Sequence, residues 1–164
     1  MPPVDNKQLV QQMTDAFNSG DLTIVDNLID ERLVDQTPFP QTGPDREGLK
    51  NQIQALRTAF PDVQFGIEDI VAEGETVAFR WTMVGTHHGP LLGQAPTGRR
   101  VQHQGNDFVT FSNGKIIQHR SADNLGELFG KLGLQWPPRG GRGNVTPSGP
   151  PSGPPSGPPS GPPA

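Results

Sequence analysis

A chain whose hydrophobic period changes once, from helical to alternating, has few folds open to it. Here the change falls at Phe60-Pro61. Before it, Leu9, Val10, Met13, Ala16 and Phe17 share one helical face that opens at Asp5 with Gln8 and stops at Gly20. Asp21 can cap a second short helix burying Leu22, Val25, Leu28 and Ile29, and Leu49, Ile53, Leu56 and Phe60 form the stripe of a third. Between them, Thr37 to Pro44 holds three prolines and a glycine, so it must be irregular. After Pro61, Val63, Phe65 and Ile67 alternate, as do Val77, Phe79, Trp81 and Met83. A loop, Gly89 to Gly98, precedes a run in which Val101, His103, Asp107, Val109 and Phe111 share a face. A last strand from Ile116 and a final helix through Leu125, Leu128, Phe129 and Leu132 complete the order. Helices followed by hairpin-joined strands predict an α+β fold, its helices packed on one side of an antiparallel sheet.

Asn113-Gly114 is the strongest hairpin signal in the chain. An unbroken two-residue turn there pairs Phe111 with Ile116, Val109 with Gln118, Asp107 with Arg120 and His103 with Asn124. All of these then face the apolar interior, with His87 beside Trp81 and Met83. His119 and the Gln104–Asp123 pair fall on the outer face. A bulge at Gly105 or near Ser121 would reverse that assignment, because one inserted residue exchanges the two faces.

The final stretch is of another kind. Residues 137–164 hold 11 of the 19 prolines and 7 of the 21 glycines, with Ser-Gly-Pro-Pro four times over and no aromatic residue. It cannot bury enough apolar surface to offset its ordering entropy, which predicts a disordered Pro/Gly/Ser-rich tail after a domain spanning 1–136. The domain carries 11 basic and 17 acidic residues, so it suits neither nucleic acid nor an anionic membrane. Cysteine is absent, which excludes disulfides and thiolate chemistry. With no signal-like start and no apolar run long enough to span a bilayer, a cytoplasmic location is expected.

Five elements in order carry a resemblance: Phe60-Pro61-Asp62, Gly85-Thr86-His87-x-Gly89, Pro96-Thr97-Gly98, Gly114-Lys115-Ile116 and Leu132-Gly133. Over roughly residues 5 to 134 the chain resembles the SnoaL-like polyketide or ester cyclases of the nuclear-transport-factor-2-like superfamily. That resemblance implies a curved sheet wrapped over the helices, forming a cone with a deep apolar pocket. It also implies intramolecular aldol ring closure of polyketide esters, with an acidic residue as acid/base and no cofactor. Two positions depart from the family pattern. Gln36 stands where a histidine is common, and an ungapped count puts the family's aspartate on Asn124, one residue after Asp123.

The leading expectation is therefore a cofactor-independent cyclase or isomerase that abstracts a proton beside a carbonyl of an apolar, oxygenated molecule. His103, a lone imidazole among apolar side chains, moves the proton, Asp107 orients it, and Arg120 or Asn124 steadies the enolate oxygen. Asp123 is a further catalytic candidate, and Trp81, Met83, His87, Asn124 and Phe39 are candidate substrate contacts. No metal is expected, since His87 and His88 are adjacent on a strand and point apart. An Asp107–Arg120 ion pair of purely structural use is an equal reading of those two residues. Two alternatives stand beside the cyclase: a non-catalytic small-molecule-binding or scaffold protein, favoured by Asn124 and Gln36, and an epoxide hydrolase, which needs an Asp–Arg–Asp arrangement. A homodimer through the outer sheet face around Ala78, Arg80 and Val84 is expected as well.

Overall fold

The computed structural model describes residues 5–138; the tail expected after residue 136 lies almost wholly outside the described residues. Two helices, α1 (Asn6–Ser19) and α2 (Thr23–Leu28), lead into strand β1 (Ile29–Asp35) and helix α3 (Arg46–Ala59). Four strands follow, β2 (Gln64–Glu73), β3 (Thr76–Thr86), β4 (Arg100–Ser112) and β5 (Lys115–Asp123), and then α4 (Leu125–Lys131). Asp5 caps α1 by accepting from the Lys7 N–H, and Asp45 caps α3 by accepting from the Gly48 N–H. Gly20 closes α1 with φ +78°, a conformation a side chain would strain.

The sheet runs β1-β5-β4-β3-β2, antiparallel throughout except that β1 lies parallel to β5 at one edge. It is curved and unclosed, and its register shifts by one irregularity in each of the β1–β5, β2–β3 and β4–β5 pairings. Two apolar clusters fill the concave side. One joins Val10, Ile29, Ile53, Val77, Val109 and Phe111, and the other joins Leu56, Phe60, Met83, Val101, Leu128 and Phe129. Each fully buried aromatic or aliphatic side chain among them contributes about 1.5–3 kcal/mol.

Two expectations need correction. Strand β1 does not follow from the sequence, because Ile29 opens it instead of ending α2, and Asp30-Glu31-Arg32 hides its apolar alternation. Charge on a sheet edge guards against pairing with other chains, so the feature that concealed the strand belongs to its position. The other correction is the hairpin register. Asn113 (φ +50°) and Gly114 (φ +75°) form the expected turn, and Phe111 pairs with Ile116. Beyond that, Thr110 pairs with Gln118, so Ile117 is one residue extra on β5.

Candidate active site

The bulge at Ile117 decides which side chains meet inside the sheet. With one residue inserted, Val109 pairs with His119, Asp107 with Ser121 and Gly105 with Asp123. His119, Ser121 and Asp123 thereby turn inward, and Gln118, Arg120 and Ala122 turn outward. The inward set lines a cavity of about 140 Å³, far more than the roughly 10–15 Å³ one water needs. Its walls come from Val10, Met13 and Phe17 of α1, Leu49 and Leu56 of α3, and Phe65, Phe79, Trp81 and Met83 of the sheet. Phe39 and its flanking prolines line it from the loop after β1.

On this apolar wall the polar groups fall into two sets. The first is His103 with Asp123, whose Nε2 and Oδ2 lie 3.0 Å apart. His103 is 3% exposed and Asp123 has 24% of its side chain exposed, so one member is dry and the other reaches solvent or ligand. The carboxylate accepts, which places the proton of a neutral His103 on Nε2 and leaves Nδ1 a bare lone pair. Nδ1 is buried and has no protein partner. His103 is thus not the lone imidazole expected; it is oriented by a carboxylate, and that carboxylate is Asp123 rather than Asp107.

The second set centres on Asp107. Trp81 Nε1–H donates to its Oδ1 at 2.8 Å and Ser121 Oγ–H to the same oxygen at 2.6 Å. His119 Nε2 lies 2.9 Å from its Oδ2, while His119 Nδ1 sits 3.1 Å from Asp35 Oδ1. The Asp35 contact has ion-pair length but poor hydrogen-bond alignment, so its attraction is Coulombic. Burial alone would lower the basicity of His119. The hydrogen bond to Asp107 and the charge of Asp35 outweigh it, and the imidazole is pushed up to about 10. His119 accordingly stands as a cation between two carboxylates. Among the described residues no cluster of three or more His, Asp or Glu has the geometry to hold a metal.

Gly105 separates the two sets. A Cβ there would stand 2.4 Å from Trp81 Cζ2 and 2.9 Å from the Cβ of Asp123. The missing side chain is therefore what lets the indole cross β4 and meet the His103 ring edge-on, with centroids 5.7 Å apart.

Of the expected site residues, His103, Asp107, Asp123, Trp81, Met83 and Phe39 line the cavity. Arg120 does not, because the bulge turns it outward, where its guanidinium sits 5.5 Å over the Phe108 ring. The Asp107–Arg120 pair, and with it the arrangement an epoxide hydrolase needs, is not formed. Asn124 follows β5 and caps α4 by accepting from the Glu127 N–H. His87 is buried against Phe60, away from the cavity, and accepts from the Thr97 N–H; burial lowers its basicity. His119, assigned to the outer face from the unbulged register, is inside. Asp35 and Ser121 are new. Asp35 carried no signal beyond a charge in an unrecognised strand, whereas Ser121 and His119 would follow from a bulge placed at Ile117.

A half-wrapped sheet closing an apolar cavity, with an imidazole–carboxylate pair on its wall, defines the cone-shaped α+β class. Within that class, residues 7–132 match the model of the SnoaL-like polyketide cyclases, and the chain belongs to that family. It is 26% identical over 131 residues to an aklanonic acid methyl ester cyclase of Streptomyces galilaeus, covering 78% of this chain and 90% of that one. A nogalonic acid methyl ester cyclase of Streptomyces nogalater is 27% identical over 130 residues, covering 76% and 95%. The solved structure of TsrD from Streptomyces laurentii superposes with a TM-score of 0.73 at 26% identity, covering 81% of this chain and 98% of its own.

Proposed function

We propose that the protein closes a ring in a polyketide ester by intramolecular aldol addition, with His103 and Asp123 as its acid/base pair. The observation that carries this reading is the imidazole oriented by Asp123 on the wall of a largely apolar cavity, its second nitrogen without a protein partner. The His103–Asp123 pair takes a proton from the carbon beside the ester or ketone carbonyl. The resulting enolate carbon attacks a second carbonyl carbon of the same molecule, forming one carbon–carbon bond. The alkoxide then recovers the proton from the pair, so substrate and product are isomers and nothing is consumed. A positioned proton-transfer group of this kind accelerates a reaction by about 10²–10⁴-fold. The methyl esters named for the two Streptomyces relatives support this substrate class, and the apolar walls suit such a ring system.

The test uses aklanonic acid methyl ester in deuterated buffer, reading ring-closed product and deuterium gained beside the carbonyl. Wild type is expected to give both. His103→Gln and Asp123→Asn are expected to lose about 10²–10⁴-fold in turnover while still binding the ester, the pattern of an interaction used only in the transition state. Undiminished turnover in both variants would remove the pair from the reaction.

A further inference from the structure

The cavity holds a charged network that the proton-transfer step does not use, and its outermost member does not touch the cavity. Asp35 lies at the end of edge strand β1, 4% exposed, with Oδ1 accepting from the Thr37 N–H at 2.9 Å. From there the contacts run inward without a gap, from Asp35 to His119, from His119 to Asp107, and from Asp107 to the indole N–H of Trp81. We propose that Asp35 is a positioning residue, which through His119 and Asp107 holds the Trp81 indole in place as the wall shared by the substrate and His103.

Three observations support this. Asp107 already accepts from Trp81 and Ser121 at Oδ1 and from His119 at Oδ2, so both of its oxygens are engaged in holding protein groups. His119 has both ring nitrogens against carboxylates, so it neither donates to a ligand nor accepts a proton from one. This network reaches the His103 side through Trp81, whose indole crosses Gly105 and meets His103 edge-on. The charges facing His119 are Asp35 from β1 and Asp107 from β4. Helices α1 and α3 contribute Val10, Met13, Thr14, Leu49 and Gln52 to the cavity, none of them titratable. The His119 ring, held by carboxylates on both sides, fixes the Asp107 carboxylate in the orientation from which it accepts the indole N–H. Without Asp35, the proton on His119 is held by one carboxylate instead of two. The charge on His119, and with it the orientation of Asp107 and the hold on Trp81, then becomes sensitive to pH.

The inference rests on the cyclase reading for its consequence, but its test does not need a substrate. The Trp81 indole N–H resonance is followed by NMR from pH 6 to 9, in a Trp136→Phe/His103→Gln background that leaves one indole to observe and no imidazole edge-on against it; kcat is read without that background. In the wild-type network the resonance is expected to stay fixed across this range, because His119 remains charged up to about 10. In Asp35→Asn it is expected to move, in step with the His119 imidazole resonances, and kcat for aklanonic acid methyl ester should acquire the same pH dependence. The double variant Asp35→Asn/His119→Gln removes the titrating group, so its Trp81 resonance should differ from wild type and ignore pH. That variant carries the test if Asp35→Asn alone does not fold. A Trp81 resonance indifferent to pH while His119 visibly titrates, or a double variant with the wild-type resonance, would overturn the proposal. Absence of turnover in every variant and in wild type would count against the cyclase reading alone.

Discussion

His103 and His119 stand on the same inner face of the sheet, each within 3.0 Å of an aspartate, yet the structure prepares them for opposite work. His119 has a carboxylate for each nitrogen and is locked as a cation. His103 has one carboxylate, so one nitrogen is oriented and the other is left without a protein partner. The difference is the count of partners, not residue type or depth of burial. A histidine with two anionic neighbours holds its proton across the whole physiological range, which makes it a structural charge. One with a single neighbour keeps a nitrogen that no protein group occupies.

The contrast breaks most visibly if each imidazole is replaced by the same amide. His119→Gln leaves Asp35 and Asp107 buried without a cation and should cost about 3–5 kcal/mol of folding stability in a denaturant titration. His103→Gln removes one hydrogen bond to a partly exposed partner and should cost only about 1 kcal/mol, its damage appearing in turnover instead. Equal losses would mean that the two sites do not differ as described. A second effect follows from the sign of the His119 shift. Its folded-state value lies above the ordinary 6.5, so the stabilisation is complete below about pH 6.5 and fades as pH climbs toward about 10. The melting midpoint should therefore fall steadily by several degrees over that interval in wild type, and the slope should flatten in His119→Gln. Gly105→Ala strikes the boundary between the sites, because the new methyl group meets Trp81 and the Cβ of Asp123 together. It should cost about 1–3 kcal/mol and depress turnover more than either site's stability alone explains, measured by melting and assay on one preparation. Asn124→Asp should do least. It exchanges one good helix cap for another outside the cavity, so stability within about 0.5 kcal/mol of wild type and unchanged activity are expected.

How much of this was legible in the sequence differed by level. The α+β order, the hairpin at Asn113-Gly114 and the apolar wall of Trp81, Met83 and Val109 follow from periodicity, because burial of a continuous face leaves a pattern that many residues share. The site was less accessible because it depends on one residue. Ile117 is an ordinary strand former, and nothing in the local sequence announces that it bulges, yet it moved His119 and Asp123 inward and Arg120 outward. Asp35 was hidden for a different reason. Its strand is an edge strand recognised only through its parallel neighbour β5, a pairing between segments some eighty positions apart that no local pattern encodes.

That bulge behaves like a reading frame for the wall of the cavity. Residues 118–124 contain two interleaved vocabularies, one of His119, Ser121 and Asp123, the other of Gln118, Arg120, Ala122 and Asn124. The register past Ile117 selects which is spoken inside and which is shown to solvent. Loss of that single residue, with the pairing restored, would exchange the entire set in one step. An interior of acid and imidazole would become one of guanidinium and amide, without altering any other codon.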